Sequence, residues 1–345
     1  MSLLLYPEAP NRELKQPSLS CRQHMRGRAR SIDLERDMDV DNNFPTKLSS
    51  VDDAPEPFRR ALKDNISSRE LVRLLIYSPA FSTIDKLSPG SALVRWPAIL
   101  APATLLAVMD DRWLVATEEE DGVNIQASRF MDTLFLELTS ILLSGELRIY
   151  FAAVGTHYVA TIPFNTVREE LYQDAIRLIF DGINPAESTG IEPNDSILKS
   201  WPLKFRLAAE RYRPKDQPLV TATRWIGVGD GFARPLCHDG ALLVTERQLI
   251  SILEEKAPPC QYAGDQHKLG GIITYFPLVR VQDFHISHHG RFAVLAVLIY
   301  AAHGSEKSEI VFPSDREKAV LKTMQQAVWI DSKNLAANPA NLNGV

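Results

Sequence analysis

Six of the eight histidines (His238, His267, His285, His288, His289 and His303) lie in the second half of the chain, with Cys237 and Cys260 among them. Imidazole and thiolate are the commonest zinc ligands, but structural zinc sites show tight pairs such as C-x2-C or H-x3-H. The spacings here are irregular, and His285, His288 and His289 read as a strand end and its turn, so no metal is expected. Asp37, Asp39 and Asp41 have the spacing of half a calcium loop. Asn42 stands where the tight-turn glycine belongs, however, and Leu48 where a bidentate glutamate is needed. Gly227-Val228-Gly229-Asp230-Gly231 looks like a phosphate loop. It lacks the third glycine and the lysine of such loops, and Ala233-Arg234-Pro235 follows, so no helix starts there to aim amides at an anion. Asp110-Asp111 falls on an expected tight turn, where carboxylates are solvated. There is no G-x-S-x-G, no H-E-x-x-H and no cysteine in a nucleophile context. No catalytic residue, cofactor or metal ligand is therefore expected, and the chemistry left is non-covalent binding.

Any such binding needs a scaffold, and composition bounds it. The chain has 345 residues, a formal net charge of −5, 45% hydrophobic and 23% charged residues. These values suit a folded globular protein of two domains, or three. Mild acidity argues against a specific nucleic-acid partner. Three cysteines make no disulfide framework and indicate a reducing compartment. The longest apolar runs are Pro97–Met109 and Phe292–Ala302. Both fall well short of the roughly 18–20 residues that a spanning helix needs, so both read as core. Leu3-Leu4-Leu5 lacks a basic flank and is ended by Pro7, Glu8 and Pro10; it is a poor signal peptide, and a cytoplasmic location is expected.

Residues 1–55 set a basic cluster (Arg22, Arg26, Arg28, Arg30) beside an acidic one (Asp33, Glu35, Asp37, Asp39, Asp41) without apolar periodicity. They read as a disordered leader. Residues 184–202 read as a linker and 331–345 as a tail.

The main finding is an internal repeat. Leu106–Val115 can be laid on Leu242–Ser251, an offset of 136; Ile162–Glu169 on Ile310–Glu317, an offset of 148; and Phe58–Ala61 on Phe205–Ala208, an offset of 147. Three matches in one order indicate a duplicated unit, at 56–183 and 203–330. Each unit predicts about seven strands. In the first they are Leu71–Tyr77, Leu105–Met109, Trp113–Thr117, Val123–Ala127, Leu134–Leu138, Leu147–Ala152 and Tyr158–Phe164. In the second they are Leu219–Ile226, Ala241–Thr245, Leu249–Leu253, Gly271–Phe276, Val279–Ile286, Ala293–Ala301 and Ser308–Phe312. Thr166/Glu169 and Ser314/Glu317 have the spacing of capping boxes, each opening an amphipathic helix. The expected fold class is mainly β with α: two small antiparallel barrels, each closed by a C-terminal helix.

That plan resembles the pleckstrin-homology-like fold. Gly240–Ser251 is similar to the L-x-L-T-x-x-R-L run of bacterial PH-like and GRAM-like domains, and Tyr275–Val281 to the I-P-L-x-x-I strand that follows it. The first unit departs from the pattern at Met109-Asp110-Asp111-Arg112 and at Glu137–Ile141. The resemblance covers both units and implies a non-catalytic binding or adaptor protein whose partner is an unidentified protein or peptide. An alternative is peripheral binding to anionic lipid through the second unit, which carries +3 against −5 for the first. Lipid-binding PH domains cluster basic groups around the loop between their first two strands. The candidates there are Arg224, Arg234 and His238, against Lys86 and Arg95 in the first unit. A third reading is an enzyme with an unfamiliar site in the histidine-rich half.

Overall fold

The computed structural model describes residues 44–67, 69–83, 99–141, 143–185, 193–229, 236–256 and 268–337. All lie in one compact unit, Asp39–Val345. Among the described residues strand outweighs helix, 50% against 28%, in antiparallel sheets, so the mainly β class stands.

The first half holds β1 (Thr46–Lys47), α1 (Phe58–Asn65), β2 (Val72–Ser78), β3 (Phe81–Thr83), β4 (Ile99–Ala101), β5 (Thr104–Met109), β6 (Arg112–Glu119), β7 (Gly122–Arg129), β8 (Thr133–Ile141), β9 (Ser144–Ala153), β10 (Thr156–Asn165) and α2 (Glu169–Ile183). The second holds α3 (Ser196–Lys199), α4 (Leu203–Tyr212), β11 (Leu219–Trp225), β12 (Gly240–Thr245), β13 (Gln248–Lys256), β14 (Lys268–Pro277), β15 (Val281–His289), β16 (Phe292–Ala301), β17 (Gly304–Pro313) and α5 (Glu317–Ala337). Every strand expected from the sequence overlaps an observed one. The helices α1 and α4 have no counterpart in the sequence pattern, because each buries only two side chains one turn apart, Phe58 with Leu62 and Phe205 with Ala209.

The element order of the first half recurs in the second, and so does fine detail. A bulge at Val72/Leu74 in β2 recurs at Leu219/Thr221 in β11, the offset of the Phe58 match. Another at Thr133/Phe135 in β8 recurs at Val281/Asp283 in β15, the offset of the Ile162 match. The bridging bonds Glu118 N–Ala103 O, Phe130 N–Asp111 O and Thr166 N–Leu143 O reappear as Glu254 N–Asp239 O, Leu278 N–Arg247 O and Ser314 N–Arg291 O.

The sheets run β1-β2-β5-β6-β7, β10-β9-β8-β14-β13-β12-β11 and β15-β16-β17, with β3-β4 as a separate ribbon. Among the described residues none closes on itself, which corrects the expectation of barrels. The physical reason lies in β14. Its outer edge bonds to β8 of the first half, Gly270 opposite Ile141 through Tyr275 opposite Leu136, instead of to β15. One sheet therefore runs through both halves.

Three cores follow from alternation along the strands. In β5, Leu106 and Val108 face a core shared with β8–β10 and α2, whereas Leu105, Ala107 and Met109 face α1. Burial on both faces explains why this strand reads as a continuous apolar run. The first core extends past the junction to Ile250, Ile273, Tyr275 and Phe205 of the second half. The interior of the second half packs Trp225, Phe276, Phe312 and Met324, and Leu134 and Phe135 reach it from β8.

Several boundary expectations change. Residues 44–55, assigned to the leader, join the fold: β1 pairs with β2 and Ala54 is fully buried. The described end of the linker carries α3 and buries Leu198 and Trp201. The backbone of α5 runs on to Ala337, into the stretch assigned to the tail. The capping boxes are replaced by other bonds. Asn165 caps the turn before α2, its Oδ1 accepting from Val167 N at 3.0 Å. Glu169, expected to reach the Thr166 amide, instead accepts from Ser140 Oγ at 2.7 Å, Gln173 Nε2 at 2.8 Å and Arg211 at 2.9 Å. Ser314 Oγ donates to the Gly290 carbonyl, and Glu317 lies 3.3 Å from His288.

Candidate functional site

A cleft of about 510 Å³ opens beside β10. β10 is the edge strand of the seven-stranded sheet. Its even positions, Ala160, Ile162 and Phe164, are buried in the core, so Val159, Thr161 and Pro163 face outward into the cleft. Thr117 and Glu119 of β6 and Asn124 and Gln126 of β7 form the opposite wall. Gln126 Nε2 spans the gap to the Val159 carbonyl at 3.4 Å. Asn124 Nδ2 holds Glu119 Oε1 at 2.9 Å, and Glu146 is paired with Arg148 at 2.5 Å.

The lining therefore combines hydroxyl, carboxamide and carboxylate groups with the apolar Phe81, Ala101, Pro102, Val159 and Pro163, and holds no lysine, arginine, histidine or cysteine. It can donate to and accept from backbone-like amides, and its carboxylates suit a cationic or N–H-rich group. No histidine or lysine stands there to activate Thr117, Ser144 or Thr161 as a nucleophile. In the second half the equivalent positions of Thr117, Asn124 and Glu146 are Leu253, Ile272 and Val294, whereas those of Glu119, Gln126 and Thr161 are Glu255, Thr274 and Glu309, so the two halves share only part of this polar pattern.

A second depression, between α2 and α4, is lined by Arg177, Arg211, Arg213 and Lys215. Three of these cations are paired: Arg177 with Asp174, Arg211 with Glu169 and Arg213 with Asp195. Burial, followed by the neighbouring Glu169 charge, pushes the Tyr212 phenol up to about 12. Burial likewise raises Tyr275. These phenols stay neutral hydrogen-bonding groups at any physiological pH.

Of the anionic-ligand candidates, Arg224 and His238 are among the described residues. Arg224 lies half-buried on β11 with its guanidinium carbon 5.5 Å from the Phe205 ring centroid. The His238 carbonyl accepts from Trp225 Nε1 at 2.9 Å, and its ring Nδ1 is buried without a hydrogen-bond partner. Arg224 faces α4 whereas Trp225, next along the strand, faces the interior. Arg234 lies outside the described residues, as do Lys86, Arg95, Arg22–Arg30, Asp37–Asp41, Cys260 and His267. Among the described residues no three His, Cys, Asp or Glu side chains are grouped to hold a metal, and no helix is long and apolar enough to cross a membrane.

Sequence reasoning misses the cleft. Its signal is the alternation Val123-Asn124-Ile125-Gln126-Ala127, which places two carboxamides on one face. The strand is legible, but what stands across from that face depends on tertiary packing. Neither a scan against protein-family models nor a search of curated proteins found a match.

Proposed function

We propose that this is a non-catalytic adaptor built from two tandem pleckstrin-homology-like domains, 56–183 and 203–330, which recognises an extended protein or peptide segment in the cleft beside β10. The recurrence of strand order, bulges and bridging hydrogen bonds at offsets of 136, 147 and 148 supports the duplication. The observation that carries the binding role is the cleft itself, in which the edge strand β10 is faced by Asn124 and Gln126 of β7. An edge strand with outward backbone groups and facing carboxamides suits a ligand that is itself main chain.

The test is selection of a displayed random-peptide library on the full chain, with affinities measured by fluorescence polarisation. Selected peptides are expected to lose about tenfold in affinity, roughly 1.4 kcal/mol, when Thr161→Arg fills the cleft, and to be indifferent to Arg224→Ala. Failure to enrich any peptide, or binding that Thr161→Arg leaves intact, overturns the proposal. Salt-sensitive binding to phosphatidylserine vesicles that Arg224→Ala abolishes would replace it with attachment to anionic lipid.

A further inference from the structure

The strongest unassigned feature is a pair of open strand edges, that of β15 and that of β7, whose side chains Asn124 and Gln126 also wall the cleft. Within the chain, β14 of the second half pairs with β8 of the first. The offset of 148 that relates the two halves here carries β14 back onto β7, Gly270 onto Gly122 and Tyr275 onto Ala127, and β8 forward onto β15. Among the described residues β7 pairs only with β6, and β15 only with β16. Each kind of edge is thus used once inside the molecule and left open once. The two edges differ, so the junction is head-to-tail and does not satisfy both partners at a single contact.

The open edges differ from the paired ones in burial as well. Leu136 and Leu138 on β8 and Ile273 on β14 are fully buried, whereas their counterparts Phe284 and Ile286 on β15 and Ile125 on β7 are only partly covered. Neither open strand contains a lysine or a proline, the residues that commonly guard an edge. On β15 a guard stands near the start, where the Asp283 carboxylate accepts from the Phe284 amide at 2.8 Å. The first residue of α5 touches this strand through Glu317 and His288, but the helix offers no pairing strand.

We infer that a second copy of this chain docks its β7 along β15, repeating the β8–β14 junction, so that the protein assembles head to tail. The register follows from the internal one: Phe284 opposite Ala127, Ile286 opposite Ile125, and His288 and His289 opposite Val123 and Gly122. This brings half-buried apolar side chains together. It also places the histidine end of β15 beside the partner's acidic turn, Glu118–Asp121, N–H donors against carboxylates. Each added copy presents the same open pair again, so assembly continues beyond a dimer unless a ring closes.

Sedimentation velocity on the full chain, over a wide range of concentration, tests this with Ala127→Lys on β7 and His285→Lys on β15. Both positions are exposed. The wild type is expected to grow with concentration and each variant alone to be monomeric. Their equimolar mixture is expected to form dimers and stop, since each supplies the edge the other lacks. A wild type that stays monomeric, an oligomer that survives both substitutions, or a mixture no larger than its parts overturns the inference. A check that needs no variant is hydrogen exchange: amides in 122–129 and 281–289 should slow together as concentration rises, and no slowing in either counts equally against it.

Discussion

Glu169 illustrates how one carboxylate can be diverted from a local role to a global one. Its spacing from Thr166 suits a helix cap, yet it is almost fully buried and accepts from Ser140 on β8, Gln173 one turn along α2 and Arg211 on α4. Three elements therefore depend on it. Glu169→Ala leaves those donors without their acceptor, and the expected loss is about 2–3 kcal/mol in urea denaturation. Asn165→Ala, which removes the cap actually present, is expected to cost about 1 kcal/mol. The same Glu169 charge helps to raise the Tyr212 phenol, so Glu169→Ala should also bring that phenol's titration down from about 12. A phenol raised on folding contributes stability that is present below its unfolded pKa of about 10 and is lost as pH climbs through the folded value. The variant should therefore lose less stability than wild type over that alkaline window. Equal costs for the two substitutions, with an unmoved phenol, would return Glu169 to an ordinary helix start.

At the scale of the element, the junction strand β14 depends on having no side chain at Gly270. A Cβ built there would meet the Ser140 carbonyl oxygen at 2.2 Å and the Ile141 Cα at 2.7 Å. Both are backbone atoms and cannot swing aside. Gly270→Val is expected to push β14 off β8 at that end and cost about 1–3 kcal/mol or more. Amide exchange should quicken in 136–141 and remain slow in β16, and unchanged protection in 136–141 would show that the strands do not depend on this approach. The sequence reveals the strands here because alternation is local: Leu134–Leu138 and Gly271–Phe276 are both legible. It does not reveal that they pair with each other. Antiparallel pairing between strands so far apart in the chain leaves no trace in periodicity, and Gly270-Gly271 reads as a weak strand start until the partner backbone is seen. The helices α1 and α4 escape the sequence pattern for a related reason. Two anchors one turn apart make no stripe, and α1 and α4 exist because the outer faces of β5 and β12–β13 need cover. Alternation along the expected strand Leu219–Ile226 does place Arg224 and Trp225 on opposite faces, but it does not tell that the Arg224 face is covered by Phe205 of α4.

For the whole molecule the question is whether two copies of one plan behave as two folding units. Their repeated element order suggests two, with residues 184–202 as the hinge. The seven-stranded sheet and the first core argue for one, because Leu136 and Leu138 of one half share that core with Ile273 and Tyr275 of the other. The hairpin tips add polar ties, with Gly155 N donating to the His303 carbonyl at 3.1 Å, His157 2.7 Å from Glu306 and His303 2.5 Å from Asp132. Phe164 and Phe312 occupy equivalent places in the two halves, and both are fully buried, one in each core. Truncating either to alanine removes about 3–5 kcal/mol. If the halves were independent, each substitution would lower one of two transitions and leave the other in place. With a shared sheet, both substitutions should shift a single urea transition by similar amounts. That shift should coincide when followed by far-ultraviolet circular dichroism and by tryptophan fluorescence, since Trp113 reports on the first core and Trp225 on the second. Residues 203–330 expressed alone would then be much less stable than in the full chain, because the apolar side chains at the β14 edge would face water. Two separated transitions, each moved by one substitution, would mean that the β8–β14 junction contributes little, and would weaken the case for the same junction acting between molecules.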